Sequence, residues 1–337
     1  GTNDFHCVVW EILQNDKLNA NRWELNKAGS KADGTPVSPR GPFRQNQFGG
    51  ALGGPIIKNR TFFFADYQGT RIASTGGSIQ NLGNGGTYTI PTQAMVHGDF
   101  SSMLGGQIGT DALGRPILQN QIYDPATTRT VNGQLVRDPF PGNIIPSNRF
   151  DPAAAKILAL YPAPNQPVHA GSYPQNDFVI ATPGQQATDQ GDIRVDHKLS
   201  DKDSLFGSLS WSNLNKNNTP PLPGALDFSG FNANTEEDLG RNAQLSYTRV
   251  CTPALISETR VGYSRLVTSR TQFGANIDQF TAFGIGGYNP TTTLNGGLPQ
   301  MGLGRYTQIG ANDWLPSKEY SNVWDFIQNV ALTTGGH

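Results

Sequence analysis

Glycine is the residue type in this chain whose spacing first suggests a chemical site. The run GGALGG, from Gly49 to Gly54, contains four glycines and one alanine, and a run of such small residues could form a loop around a ligand. A phosphate-binding loop ends in Gly-Lys-Ser/Thr and opens a helix, whereas this run lacks that ending and precedes a pattern typical of a strand. We therefore expect these glycines to mark a bend or a close approach of backbone within a strand.

Histidine and aspartate are also present without the spacing of a metal site. Asp201-Lys202-Asp203 does not continue with the spacing of a calcium-binding EF-hand, so a solvated turn is expected there. The histidines are scattered through the chain without ligand spacing: His6, His97, His169, His197 and His337. No Gly-x-Ser-x-Gly motif occurs. The sequence thus predicts no catalytic, cofactor-binding or metal-binding residue, and a protein that is not an enzyme.

Two pairs of residues remain as candidates for contact. Glu258 and Arg260 are two positions apart in an alternating run, so they share one face and are expected to form an ion pair, with ligand contact as the alternative. Cys7 and Cys251 are suited to a disulfide in an oxidising compartment. Their places, in a first strand and at a turn after a sixth, argue against pairing without deciding the question.

The composition excludes several classes of protein. The 337 residues contain 25 Lys and Arg against 26 Asp and Glu, and a nucleic-acid binder needs a surplus of basic residues. Only 15% of the residues are charged, so polarity comes from Asn, Gln, Ser, Thr and Gly. No run approaches the roughly 18 apolar residues of a membrane-spanning helix. The N-terminus has neither the basic start nor the apolar core of a signal peptide. Because the chain begins without Met, we expect a fragment or a processed product.

Alternation of apolar and polar residues is the clearest structural signal. It is seen at 193–199 and 205–212, where Leu and Trp share one face and mostly Ser the other. The same period continues at 243–248, 255–264 and 324–332, and upstream at 5–13, 47–57 and 61–71. These segments predict about eight antiparallel strands, each with one apolar and one hydrophilic face.

The lengths of the connections place these strands in a particular class. Short turns are predicted near 58–60, 200–203 and 251–254, and long loops at 14–45, 75–189, 214–238 and 271–318. All short turns then lie at one end of the sheet and all long loops at the other, as in outer-membrane β-barrels. Aromatic girdles are expected to include Trp211, Tyr263 and Trp324. A half-buried sheet of a soluble protein would show the same alternation but not the same loop asymmetry.

Local signals predict some order inside the longest loop. Asp151-Pro152 is typical of an N-cap followed by proline in the first turn, and predicts a helix over 153–161. Asn132-Gly133 predicts the turn of a small hairpin.

Several motifs resemble one bacterial family. The run NQFGGALGGPIIKNRTFFFADYQG, from Asn46 to Gly69, resembles a signature of Oar-like TonB-dependent outer-membrane receptors, which carry a carboxypeptidase-regulatory-like domain. The segments 1–6, 140–146, 160–165 and 194–207 resemble the plug-to-barrel junction, two parts of the second loop and the next hairpin of this family. Cys7 departs from the pattern, because the family usually has glycine there.

The resemblance implies a function for a larger protein. Residues 1–337 would form the N-terminal part of the receptor barrel, about eight of its roughly 22 strands, without the plug. The expected location is the outer membrane of a Gram-negative-type bacterium, in contact with its lipid. The expected partners are the TonB complex, reached through the missing plug, and an unknown nutrient; neither nucleic acid nor a cofactor is expected.

The ligand and the alternatives stay open at this point. Ligand contact is expected in loops 75–189 and 271–318, which carry Tyr161, Phe283 and Tyr288, although no binding residue is assigned. One alternative is a self-contained eight-stranded outer-membrane barrel for adhesion or surface binding. Another is a secreted, soluble β-rich carbohydrate-binding protein or hydrolase.

Overall fold

Antiparallel β-strands make up most of the structure. The computed structural model describes residues 2–21, 23–27, 29–30, 32, 34, 40–76, 82–227, 229–230, 233–287 and 296–333. The strands are β1 (His6–Asn15), β2 (Phe43–Ile57), β3 (Thr61–Thr75), β4 (Asn84–Tyr88), β5 (Gln107–Thr110), β6 (Pro116–Leu118), β7 (Tyr123–Val131), β8 (Gln134–Pro139), β9 (Phe178–Lys198), β10 (Asp203–Asn218), β11 (Thr235–Thr252), β12 (Leu255–Thr271), β13 (Met301–Leu303), β14 (Tyr306–Ile309) and β15 (Ser317–Leu332).

Helices are short and lie in the connections. The α-helices are α1 (Trp23–Asn26), α2 (Gln93–Val96), α3 (Pro152–Leu158) and α4 (Gln279–Phe283). Single 3-10 turns occupy Asp16–Leu18, Ser101–Met103, Pro141–Asn143, Ser147–Arg149 and Gly224–Leu226. Among the described residues, none of the helices has the length and apolar character needed to cross a membrane.

Eight long strands form one sheet, in the order β1-β2-β3-β9-β10-β11-β12-β15, and we call them the wall strands. Every neighbouring pair is antiparallel and follows chain order. The prediction of an all-β antiparallel sheet of about eight strands is therefore confirmed. The strands run further than the alternation indicated: β9 begins at Phe178, and its first residues pair with β4 beyond the wall.

The connections differ sharply between the two ends of the wall. The links at 58–60, 199–202 and 253–254 are tight turns, whereas 16–42, 76–177, 219–234 and 272–316 are long. Asn59 adopts a positive φ of 62°, which asparagine tolerates better than most residues. The predicted hairpin also forms, because Asn132 and Gly133 both have positive φ between β7 and β8. Asp151 caps α3 as predicted, accepting hydrogen bonds from the backbone N–H groups of Ala153 and Ala154.

Glycines in the wall lie opposite large aromatic rings. The register pairs Trp10 with Gly49, Phe48 with Gly69, and Trp211 with Gly191. A Cβ atom at Gly49 would lie 2.5 Å from the Trp10 ring and 2.4 Å from a backbone oxygen. Glycine is therefore required for the close approach of ring and backbone, which confirms the structural role predicted for the 49–54 run.

The sheet is open. Within the described residues, β1 pairs only with β2, and β15 pairs only with β12. The barrel is consequently not closed by these eight strands.

The larger hydrophobic cluster among the described residues lies in the long connections, and a smaller one joins Phe43 and Ile72 of the wall to Leu82. We define the loop layer as the described residues of 82–177, 219–234 and 272–316. Its core unites all three segments and includes Ile90, Val96, Tyr161, Leu222, Leu226, Leu298 and Ile309, together with Phe178 at the start of β9. The wall and the loop layer are thus two differently built parts of one molecule.

Candidate functional site

The two faces of the wall have different chemistry. Residues that lie opposite each other in an antiparallel pair share a face, so the register assigns complete rows. One face carries the row Cys7, Leu52, Ala65, Ile193, Leu209, Ala243, Tyr263 and Trp324. The next row toward the turns on that face is Gly54, Phe63, Val195, Gly207, Leu245, Val261 and Phe326. We call this the apolar face.

Among the described residues, none forms a protein layer over the apolar face. Leu209 is 58% exposed, Trp324 62% and Phe326 74%, although all three are large and hydrophobic. An apolar surface of this extent is rare on a soluble monomer and marks an interaction surface. The rows therefore need a non-aqueous neighbour.

The opposite face, which we call the polar face, holds the intervening residues. One of its rows is Asp66, Asp192, Ser210, Asn242 and Ser264. Ion pairs join neighbouring side chains along single strands: Arg260 Nη2 lies 2.7 Å from Glu258 Oε1, and Arg194 Nη2 lies 2.7 Å from Asp196 Oδ1. The first of these confirms the predicted pair. Such a face is suited to water and to charged or hydrogen-bonding solutes.

The Glu258–Arg260 pair belongs to a wider polar network. Ser246 Oγ donates to Glu258 Oε1 at 3.2 Å, and Asn329 Nδ2 donates to Glu258 Oε2 at 3.2 Å. Three strands are thereby joined by one carboxylate. These bonds satisfy Glu258 within the wall and favour the structural interpretation of this pair over ligand contact.

The polar face also carries aromatic rings that the alternation did not predict. The Phe62-Phe63-Phe64 run necessarily places rings on both faces, and Phe62 lies in one polar row with Asp196 and Phe206. The guanidinium of Arg194 lies over the Phe206 ring, 3.9 Å from its centroid. The three consecutive phenylalanines were the sequence signal for an aromatic ring on the polar face, because alternating side chains of a strand cannot all lie on one face.

Buried carboxylates connect segments of the loop layer. Asp227 Oδ2 accepts a hydrogen bond from the Gly274 N–H at 2.9 Å, and Oδ1 accepts one from Ser229 Oγ. Asp177 Oδ1 accepts one from the Ile90 N–H at 2.9 Å. Burial raises the pKa of Asp227 and of Asp177, because a carboxylate loses hydration there.

A charged cluster stabilises the outlying hairpins of the longest connection. Asp138 accepts hydrogen bonds from Arg115 and Arg129, and Arg115 also pairs with Asp111 at 2.8 Å. The two guanidinium groups hold the pKa of Asp138 well below its usual range. Nearby, the Arg149 guanidinium lies against Asp124 with an N–O distance of 2.6 Å and lowers the pKa of that carboxyl.

With these two faces and the asymmetric connections established, the comparison with known families is decisive. A family model described as an outer membrane beta barrel domain matches residues 1–337. The chain belongs to this outer membrane beta barrel domain family. No curated protein matches the chain.

Membership of the outer membrane β-barrel domain family shows which face of the wall contacts lipid and which end of the wall is extracellular. The protein resides in the outer membrane, so the exposed Leu, Val, Trp and Phe rows contact lipid. Barrels of this kind have short periplasmic turns and longer extracellular loops. The tight turns are accordingly periplasmic and the loop layer extracellular.

Aromatic side chains mark the extracellular boundary of the lipid-facing band. Tyr67 and Trp211 lie in one row of the apolar face, with ring centroids 6.1 Å apart. Tyr263 and Trp324 lie one row nearer the turns, with centroids 4.6 Å apart. The predicted girdle residues therefore all face lipid, and Trp211 is the one at the boundary row.

Two of the three aromatic residues in the loops expected to contact a ligand pack in the loop layer. Tyr161 is only 6% exposed and belongs to the loop-layer core, where burial raises the pKa of its hydroxyl to about 12. Phe283 packs against the same core. Little of the Tyr161 ring is therefore exposed to a ligand in this structure, and ligand contact by these two loops stays a prediction. Tyr288 lies outside the described residues.

The remaining candidate residues are dispersed in this outer membrane β-barrel domain. His197 Nδ1 lies 2.8 Å from Thr61 Oγ1, and His97 Nδ1 lies 2.7 Å from the backbone oxygen of Gln93. His337 lies outside the described residues. Across the part of the chain that the structure describes, no group of three or more His, Cys, Asp or Glu residues is arranged to hold a metal ion. Cys7 and Cys251 are free and exposed, so the structure does not pair them.

Proposed function

We propose that this domain forms part of the wall of a TonB-dependent receptor of the Oar-like kind, which takes up a nutrient across the outer membrane. The support is the Asn46–Gly69 run, which resembles the signature of that family, on a chain that belongs to an outer-membrane barrel family. In this proposal the energy is relayed by TonB to a plug, and TonB is the protein partner.

The observation that carries the proposal is the open wall. Unpaired backbone groups at a sheet edge are not tolerated in lipid. Since β1 and β15 each have one partner within the described residues, further strands are needed to close the barrel. A barrel of many more than eight strands encloses a lumen wide enough for a plug or a channel.

The polar face supports the same function. It would line this lumen and present ion pairs and hydroxyl groups, such as Arg194–Asp196 and Ser210, to a hydrated interior. The loop layer lies at its extracellular end and would provide the first surface that a nutrient meets. We propose that the exposed side of this layer, rather than its core aromatics, makes that contact.

The alternatives are less well supported. A self-contained eight-stranded barrel for adhesion needs a β1–β15 pairing, which is not formed in the described sheet. A secreted soluble protein does not agree with residence in the outer membrane.

Transport can be tested in cells that lack the gene and in cells complemented with it. Uptake of labelled ferric siderophore, cobalamin, oligosaccharide and peptide would be measured with and without a protonophore. We expect the deletion to abolish energy-dependent uptake of one ligand class, and loss of TonB to have the same effect. Uptake that is unchanged by the protonophore and by loss of TonB would contradict the proposal. A deletion strain that loses surface adhesion but keeps its uptake would also contradict it.

A further inference from the structure

Two arginines lie side by side on the lipid-facing surface, at the extracellular edge of the apolar band. The register pairs Arg241 of β11 directly with Arg265 of β12, and both side chains are exposed. They share the row of Tyr67 and Trp211, the aromatic residues that mark the membrane boundary. Their height along the strands is therefore that of lipid headgroups in the outer leaflet.

Neither arginine has an acidic partner within the described residues. Arg241 Nη1 donates to the backbone oxygens of Ser212 and Gly240, at 3.1 and 2.6 Å. Arg265 lies over the Tyr320 ring, 5.5 Å from its centroid, and Lys318 approaches the same ring at 5.5 Å. Like charges directly opposite each other in a sheet are destabilising, so a bound anion would stabilise this group.

Another arginine on the same face does have an acidic partner. Arg71 of β3, also near the loop end of the wall, is paired with Asp189, with N–O distances of 2.8 and 3.0 Å. On β11 itself, Glu237 is the nearest acidic residue on this face toward the loops, four positions beyond Arg241. The basic group is thus open toward lipid and solvent.

An apolar groove begins directly beneath the arginines. It has a volume of about 520 Å³ and is lined on the lipid-facing side by Ile193, Val195, Leu209, Ala243, Leu245 and Trp324. Gly207 leaves the groove open at its centre, because it contributes no side chain. Ala243 and Tyr263 are each two residues from an arginine on the same strand, so groove and basic group are continuous.

We propose that Arg241, Arg265 and Lys318 bind a phosphate group of a phosphorylated lipid in the outer leaflet, whose acyl chain occupies the groove. Arginine binds phosphate with paired N–H donors, and two neighbouring guanidinium groups balance its charge. The acyl chain extends the lipid contact already made by the apolar face. This site is independent of any transport role, and it would be retained in an adhesion barrel.

Lipid retention by the purified protein tests the site. Protein extracted from outer membranes in detergent would be exchanged into nanodiscs with bis-phosphorylated lipid A or with phosphatase-treated lipid A. Bound lipid would be counted by native mass spectrometry. We expect retention of the phosphorylated form to be at least tenfold higher than that of the dephosphorylated form, and R241Q/R265Q to remove the difference.

Arg249 provides the matched control. It lies on the same face of the same strand, eight positions away at the periplasmic end, with Asp203 3.7 Å away. R249Q should leave lipid A retention unchanged, and heat-modifiable electrophoretic mobility would show that each variant is folded. Equal retention of the two lipids by the unmodified protein would overturn the proposal, and so would an equal loss in R249Q and R241Q/R265Q.

Discussion

The wall and the loop layer use hydrophobic residues in opposite ways. Of the nineteen buried apolar residues among those described, only Phe43, Ile72, Phe178 and Val267 belong to wall strands. The apolar face of the wall instead exposes its largest side chains. The apolar face of the wall packs against lipid. The loop layer lies in water, so its apolar residues must be buried against other protein residues.

This difference explains why the connections fold although they are long. A structureless connection of more than about 15 residues is costly to order. In the loop layer, three connections share one core, and buried carboxylates such as Asp227 satisfy backbone N–H groups where chain segments meet. We therefore expect the loop layer to respond to mutation as a small soluble domain does, and the wall to respond as a membrane protein does.

The largest effect is expected at the centre of the loop-layer core. Leu222 is completely buried there, so Leu222→Ala should destabilise the loop layer by about 3–5 kcal/mol through lost burial and an unfilled cavity. Hydrogen exchange followed by mass spectrometry should show lost protection in 82–177 and 272–316. Protection of the wall strands over 193–212 should be retained.

Leu209 on the apolar face is the matched control for this substitution. Leu209→Ala leaves no enclosed cavity, because the side chain meets fluid lipid, and exchange in the loop layer should be unchanged. Equal loss of protection in both variants would contradict the division into two independently packed regions.

The second prediction concerns the wall. Leu209→Arg places a charge on the lipid-facing side, one row inside the boundary row of Trp211. It should destabilise the folded barrel by about 1–2 kcal/mol, between the cost of arginine at the interface and its cost at the bilayer midplane. Ser210→Arg, the adjacent residue on the polar face, should have little effect. Urea titration in lipid vesicles, followed by heat-modifiable mobility, measures both. A larger effect at Ser210 would reverse the assignment of the faces.

The wall could be predicted from the sequence because its information is local. Alternation identifies each strand, short turns such as 58–60 link neighbours, and the parity of Glu258 and Arg260 predicts their ion pair. The pairing of β3 with β9 can also be predicted, because they are consecutive among the long strands and consecutive long strands pair. Even the two lipid-facing arginines follow an alternating pattern, but their juxtaposition requires the register.

The loop layer could not be predicted in the same way, because its contacts join distant segments. Tyr161 is buried by residues such as Leu222 and Ile309, which are 61 and 148 positions away in the sequence. No periodicity relates such residues, and an aromatic in a polar loop looks the same whether it is buried or meets a ligand. Only local features, the Asp151 cap and the Asn132-Gly133 turn, were available, and both were predicted.

The third prediction uses pH on the loop-layer core. Burial raises the pKa of Asp227 in the folded state, so the folded protein binds this proton more tightly than the unfolded chain. This contribution to stability is full below the unfolded pKa of about 3.9 and is lost as pH rises through the folded pKa. Asp227→Asn should flatten the pH dependence of exchange at the Gly274 amide, after correction for intrinsic rates. A slope that persists in the variant would show that another group titrates.

The smallest effect, with the opposite sign, is expected in the outlying hairpins. Arg129 and Arg115 lower the pKa of Asp138 in the folded state. This ion-pair cluster therefore stabilises β7 and β8 fully at a pH above the unfolded pKa of about 3.9. The contribution is lost as pH falls through the lower pKa of the folded state. Exchange protection over 123–139 should therefore decrease on acidification while that near Gly274 is maintained. Asp138→Asn should remove the decrease, and Asp278→Asn, which alters a helix cap away from these hairpins, should not. Asp227 and Asp138 lie in the same extracellular layer and differ mainly in their burial and in their basic partners. If exchange near Gly274 and exchange over 123–139 responded to pH in the same direction, these local environments would not control loop stability.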